Sequence, residues 1–369
     1  MADLEFGMWD RFGAHEMMAG PLAADIYERH LKMVEEAETL GYGSYFIIEH
    51  QGSFIGQITA PSVYLAAVAQ RTSTIRIGAM IYQLPFHNPM RLAEEIAMLD
   101  HLSRGRVEFG TGIGVHEHEF LRWGLDFSQR QAMSEESLEI IEQAWNQESV
   151  TYNGKYWQFD DALPLPRPFQ DPHPPIWAGA HSIRAFEFAA RKNYHIAQNI
   201  DVDVVVAEKL AHYRKVWAES GHQGPMPRSF LMRTVHVAET DEKAREEAEP
   251  HLLNDRRLGR EFVDNTRVGF GKSKLLGVGN DDESMPHLKE RLRVFKGMAS
   301  SYDFWIENGL AIIGSPDTVV RKLKEQQALI GYDLFCASHG IAGMGFEKEM
   351  NSMRLFGKHV IPAFSKPAR

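Results

Sequence analysis

The sequence predicts an α/β protein: one (β/α)8 barrel with insertions, occupying residues 1–369 as a single domain. Three observations predict it. Short apolar runs of strand type alternate with helical patterns almost from end to end. Eight such runs occur, and continuous apolar strands separated by helices imply a parallel sheet covered on both faces, which eight units close into a barrel. The fourth run opens into Gly110-Thr-Gly-Ile-Gly114, whose three glycines remove side chains at the strand end where barrels build their sites.

The elements follow in order. Leu4–Met8 is the first strand, before a helical pattern at 23–40. Tyr45–Glu49 precedes a helix at 58–72, and Ile75–Gln83 is ended by Pro85 before Pro89 opens a helix over 89–102. A tight Ser103-Arg104-Gly105 turn leads into Val107–Gly112, and Ser128 is expected to cap the helix over 128–146. Residues 151–168 break the rhythm: Asn153-Gly154 is a hairpin signal, and Pro164, Pro166 and Pro168 mark an insertion. Ile176–Ala180, His195–Asn199 and Phe230–Val237 resume it, with helices at 182–192, 202–219 and 240–257. Residues 258–310, the largest insertion, lie just before the last unit and read equally as an active-site lid or a surface excursion. Ser315-Pro316-Asp317 opens a helix over 315–329, and Leu334–Ser338 is the last strand.

Composition narrows the function. At 44% hydrophobic and 24% charged residues, the chain has ample material for a large core. A net charge of −10 argues against nucleic-acid binding, which needs a clustered basic surface. Cys336 is the one cysteine, so no internal disulfide can form and a cytoplasmic setting fits. No signal peptide is expected, and no apolar run approaches the ~20 residues of a membrane span.

Several segments can carry chemistry. Glu49-His50 sits at the end of the second strand, where a histidine can work as a general acid or base. His116-Glu117-His118-Glu119 follows the fourth strand; its His-x-His pair raises a metal-hydrolase alternative, with His181 and His339 as further ligands, but no aspartate ends the eighth strand, so no metal is expected. In Trp177-Ala178-Gly179-Ala180-His181-Ser182 the small residues permit close backbone approach. Ser182 would cap the next helix, and the helix amides with Arg184 would make a phosphate site. The glycines at 110, 112 and 114 miss the dinucleotide spacing, which weighs against a nicotinamide site. Met8, Trp9 and Phe12 are candidate lining for a substrate pocket.

Taken together, these segments resemble the bacterial luciferase-like flavin monooxygenases over nearly the whole chain. The carriers are Ile-Ile-Glu-His-Gln at 47–51, Leu-Pro-Phe-His-Asn-Pro-Met-Arg-Leu-Ala-Glu-Glu at 84–95 and Leu-Asp-His-Leu-Ser-Arg-Gly-Arg-Val-Glu-Phe-Gly at 99–110. Glu119-Phe120, Trp123-Gly124, Ile-Gly-Ser-Pro-Asp at 313–317 and Val-Ile-Pro at 360–362 complete them. The resemblance implies a TIM-type barrel that binds reduced flavin mononucleotide (FMN) supplied by a separate flavin reductase. The reduced flavin would react with O2 to a C4a-peroxide that oxygenates a small substrate. His50 falls on the catalytic histidine, and Glu119 on an acidic position near the flavin. Ala79, Met80 and Ile81 fall on a third-strand position beside the ring, where Met80-Ile81 matches a frequent non-proline cis peptide. Thr111 and Gly112 line the fourth loop, and Gly179, Ala180, His181 and Ser182 form the phosphate turn.

There are departures. The reactive cysteine of the luciferase subunit corresponds to Gly112, a phosphate-contacting arginine to Ile113, and a tryptophan after the sixth strand to Ile200. Long-chain aldehyde and light emission are therefore not implied, and phosphate binding falls to Ser182, backbone amides and Arg184 or Arg130. A homodimer is expected. The alternatives are a deazaflavin-dependent oxidoreductase of the same fold and a non-catalytic partner subunit, against which an intact His50 argues.

Overall fold

The computed structural model describes residues 4–13, 16, 20, 22–53, 56–266 and 285–364. The first half of the chain runs β1 Glu5–Asp10, α1 Ala23–Thr39, β2 Ser44–Ile47, α2 Pro61–Arg71, β3 Arg76–Gln83, α3 Pro89–Ser103, β4 Val107–Gly112, α4 Glu117–Arg122 and α5 Arg130–Asn146. It continues through β5 Val150–Asn153, β6 Gln158–Ala162, β7 Ile176–Gly179, α6 Ile183–Arg191, β8 His195–Gln198, α7 Asp203–Glu219 and β9 Ser229–Val237. The last part holds α8 Asp241–Thr266, α9 Met285–Ser300, α10 Tyr302–Glu307, β10 Ala311–Gly314, α11 Pro316–Ile330, β11 Leu334–Ser338 and α12 Phe346–Leu355.

Eight parallel strands close in the order β1-β2-β3-β4-β7-β8-β9-β11, with β11 returning to β1. These are the eight expected strands. Their side chains alternate with the pleat. Trp9, Phe46, Met80, Trp177, Phe230 and Cys336 form one apolar cluster, which fills the lumen. Tyr45, Ile47, Ile77, Phe109, Ile196 and Phe335 belong to the larger cluster between strands and helices. Trp177 Nε1 donates to Glu108 Oε2 at 2.6 Å, and Arg228 donates to Glu108 Oε1 at 2.7 Å. This half-buried ion pair meets the lumen at the strands' N-terminal ends.

Two local expectations are corrected. Ser128 does not cap α5; its amide donates to Asp126, which caps a short 3-10 turn before the helix. The second concerns the last unit, where the pattern pairs Leu334–Ser338 with the helix over 315–329: that helix, α11, leads into β11, and α12 is the one that follows it. The Asn-Gly hairpin is present as the β5–β6 pair. Its turn wraps Glu136, which accepts the amides of Lys155, Tyr156 and Trp157.

The expected insertion over 258–310 contains the end of α8, α9 and α10 and leads into β10, a strand the sequence pattern did not yield, which pairs with Thr234–Val237 of β9. Residues 267–284 of that insertion lie outside the described residues. Its described part shares a second core with Val202, Ile341 and Met344, which lie just past β8 and β11. Among the described residues, no helix is long and apolar enough to cross a membrane.

Candidate active site

Four neighbouring strands, β2, β3, β4 and β7, deliver the expected site residues at their C-terminal ends. His50 follows β2 and is buried. Its Nδ1 lies 2.7 Å from Glu119 Oε1, which comes from the first turn of α4 beyond β4. Gln83, the last residue of the intervening β3, donates to Glu119 Oε2 at 2.9 Å and to the Glu49 carbonyl at 3.0 Å. The pair is thus held across three strands.

Glu119 is fully buried. Burial alone would push its carboxyl up, but the adjacent His50 ring and the Gln83 amide hold it down, to about 2. An ionised carboxylate on Nδ1 fixes the imidazole so that Nε2 is presented on the other edge. His116 stands beside His50 with ring centroids 5.3 Å apart, and His118 beyond it at 5.5 Å from His116. Burial keeps the His118 imidazole below its usual value.

The peptide bond between Met80 and Ile81 is cis, at the position the resemblance implied. It lies within an irregularity of β3: between the pairs Ala79–Phe109 and Tyr82–Thr111, two residues, Met80 and Ile81, oppose one, Gly110, on β4. Trp9 Nε1 donates to the Met80 carbonyl at 3.4 Å.

The glycines beside this bulge have a different immediate reason from the one expected. A Cβ on Gly112 would meet Ile81 Cδ1 at 2.2 Å, and one on Gly179 would meet Ile81 Cγ2 at 2.8 Å. One on Gly110 would strike the Ala79 carbonyl at 2.2 Å. These glycines admit the bulged strand itself. Thr111 is buried, and its hydroxyl donates to the Trp177 carbonyl at 3.3 Å.

Gly179-Ala180-His181-Ser182 forms the turn into α6. Ser182 is the N-cap, and its Oγ accepts the Ala185 amide at 3.2 Å. Gly179 and Ser182 are exposed, so the first amides of α6 open to solvent. Arg184 is exposed, with its guanidinium 3.8 Å from Glu135. Arg130 lies over the Phe127 ring and donates to the Phe127 carbonyl at 2.9 Å. Of the three proposed lining residues, Trp9 faces the lumen, while Met8 and Phe12 belong to the outer core, because alternation along β1 turns Met8 outward and Phe12 packs on His30 and Tyr64.

Sequence reasoning missed three contributors. Gln83 bridges Glu49 and Glu119; its signal is a polar residue ending an otherwise apolar strand. His87 Nε2 lies 2.9 Å from Glu49 Oε1 and supports that bridge from outside. Lys209 is buried, 2.6 Å from Asp201 Oδ2 and 2.5 Å from the His181 carbonyl, which it fastens. Its signal was its place in the stripe Val206, Leu210, Tyr213 of α7, where only a paired cation can sit.

A family model described as luciferase-like monooxygenase matches residues 4–333. The oxygenase component of a flavin-dependent trigonelline monooxygenase from Acinetobacter baylyi is 26% identical over 349 residues, covering 92% of this chain and 91% of that one. Two solved structures share the fold. The oxygenating constituent of 3,6-diketocamphane monooxygenase from Pseudomonas putida, in complex with FMN, matches with a TM-score of 0.77 and 21% identity over 99% of this chain and 100% of that one. The coenzyme F420-dependent tetrahydromethanopterin reductase from Methanopyrus kandleri matches with a TM-score of 0.71 and 21% identity, over 99% and 100%.

Proposed function

Because the chain belongs to the luciferase-like monooxygenase family, we propose that it is the oxygenase component of a two-component system. It would take reduced FMN from a separate flavin reductase and use O2 to oxygenate a small organic substrate. The observation that carries this reading is the gathering of three features on one side of the barrel mouth. These are the His50–Glu119 pair, the bulged Met80–Ile81 segment and the open N-terminal turn of α6. A flavin ring needs a flat backbone face, its phosphate needs amide donors, and proton transfer needs a positioned imidazole.

The residues present fit FMN in kind. Ser182 and the first amides of α6 would hold the phosphate, and α6 is long enough for its dipole to favour the anion. Ala79, Met80 and Ile81 would present backbone to the ring, with Trp9 holding the Met80 carbonyl in place. Thr111 and Gly112 would border it from the next strand. Bound reduced FMN supplies the electrons that activate O2. His50 would hold or donate a proton at Nε2, and Glu119 would orient it through Nδ1. The apolar lumen, with Trp9, Met80 and Trp177, excludes water beneath the site.

The trigonelline relative's description as an oxygenase component supports the reductase partner. Exposed Val63, Met98 and Leu102 on the adjacent helices α2 and α3 offer apolar surface for the proposed homodimer, which light scattering tests. The F420-dependent neighbour supports a second reading, hydride transfer with a deazaflavin. Anaerobic titration with reduced FMN, its adenine dinucleotide form and reduced F420 separates these. FMN should bind tightest and be reoxidised when O2 is admitted. Preference for F420, with no reaction toward O2, would overturn the proposal.

A further inference from the structure

His50, His116 and Glu119 bring one ligand atom each to within 4.8 Å of one another. All three residues are buried, at 6%, 8% and 0% exposure. The spacing follows from the fold. His116 is the N-cap of α4 and Glu119 lies in its first turn, where the Glu119 amide donates to the His116 carbonyl at 3.0 Å. That turn sets both side chains against His50, which arrives from β2. Gln83 holds the second Glu119 oxygen at 2.9 Å, so the carboxylate is oriented from behind as metal-binding carboxylates are.

We propose that these three side chains form a site for a divalent transition-metal ion of the zinc, cobalt or iron(II) type. Two imidazoles and one carboxylate are the donor set such ions prefer over calcium or magnesium. Three protein ligands leave a coordination position open. Two atoms on one such ion are at most about 4.2 Å apart, since each bond is about 2.1 Å. Donors that all lie within 4.8 Å of one another would draw together around one ion through side-chain rotation. The pair singled out in the sequence, His116 with His118, is not the pair that converges; His50 takes the place of His118. His339 is committed elsewhere, 2.9 Å from the Tyr42 hydroxyl and 2.8 Å from Ser352 Oγ.

The ion and the His50–Glu119 hydrogen bond would draw on the same two side chains. His50 Nδ1 and Glu119 Oε1 are hydrogen-bonded at 2.7 Å. An ion bound through His50 Nδ1 would break that hydrogen bond, so a site loaded in this way and a His50 oriented by Glu119 exclude each other. That consequence rests on the proposed function; the binding itself does not.

The test is titration of the metal-free full chain with Co2+, read by its visible ligand-field bands, then displacement by Zn2+, with no flavin present. One equivalent should bind in the wild type and in H212A, which removes the exposed His212–Glu187 pair as a control. H116A and H116Q, checked for native circular dichroism, should lose at least about tenfold in affinity, the low end of what disturbing a metal site costs. Equal binding in wild type and H116A, or loss in H212A instead, overturns the proposal. So does X-ray absorption of the zinc-loaded wild type that shows no imidazole shell, a measurement that needs no variant.

Discussion

Replacing Glu119 by glutamine keeps the size of the side chain and removes its charge. The structure fixes what that charge does. The carboxylate is fully buried, 2.7 Å from His50 Nδ1 and 2.9 Å from Gln83 Nε2. Its carboxyl is held down to about 2, against an ordinary 4.5, by His50 and Gln83 in spite of its burial. At about 1.36 kcal/mol per pH unit this difference is on the order of 3 kcal/mol, and sharing it with a coupled histidine leaves about 1–3 kcal/mol. A lowered value means the contribution is present above pH 4.5 and lost as pH falls toward about 2. At pH 7 the variant should therefore unfold at lower urea, by about 1–3 kcal/mol.

The catalytic effect should be larger. A glutamine can turn either its oxygen or its amide toward Nδ1, so the imidazole tautomer is no longer fixed. Loss of a correctly presented acid or base costs about 10²–10⁴-fold in rate. Stopped-flow oxidation of protein-bound reduced FMN, with hydrogen peroxide release measured alongside, reads this. The double variant H50A/E119Q separates positioning from bulk stability. If Glu119 acts through His50, the double variant should oxidise flavin no more slowly than H50A alone. Wild-type kinetics in E119Q, or an additive further loss in the double variant, would refute the reasoning.

Three other outcomes follow from the geometry. Ser182→Ala should weaken reduced-FMN binding by about 1–3 kcal/mol while costing about 1 kcal/mol of stability as a lost cap, so unchanged affinity in equilibrium titration would leave the serine a cap only. Lys209→Met takes the cation from the buried Asp201 carboxylate, which keeps the Gln198 amide, and frees the His181 carbonyl, so urea unfolding should show a loss of about 3–5 kcal/mol and FMN affinity should fall with it; a stable variant would mean that the ion pair is replaceable. Burial, with Glu16 and Asp10 nearby, raises the Glu349 carboxyl to about 8, so its stabilising contribution is present below pH 4.5 and lost as pH rises through 8; Glu349→Gln should match wild type near pH 5 and exceed it by about 1–3 kcal/mol at pH 9, and a difference that does not grow with pH contradicts this.

The barrel was legible because its strands are short, apolar and separated by helices of ordinary length. Several elements were not assigned, and two of them show why. β10, Ala311–Gly314, has four residues, too few for a period, and lies inside a stretch that breaks the alternation; only the extra length of β9 gives it a partner. The helix α12 does carry a period, with Phe346, Met350 and Met353 on one face, but it follows the last expected unit. His50 was legible as a residue at a strand end, and Glu119, in the loop after the fourth strand, through the family resemblance. Their pairing was not, since it joins positions 69 apart through a six-residue helix and a glutamine from a third strand.

The glycines mark a deeper limit. A missing side chain in a sequence announces that something approaches closely, but not what approaches. At Gly110, Gly112 and Gly179 a ligand and a neighbouring strand are equivalent explanations until register is known. The register supplies the answer: β3 carries one extra residue against β4, and that residue drives Ile81 toward both Gly112 and Gly179. The same extra residue sits where the Met80 carbonyl accepts from Trp9, so the packing that accounts for the glycines would also shape the face proposed for the flavin. Structural and functional causes are here one feature, and substituting Gly110, whose added Cβ would meet backbone rather than a movable side chain, should disturb both together.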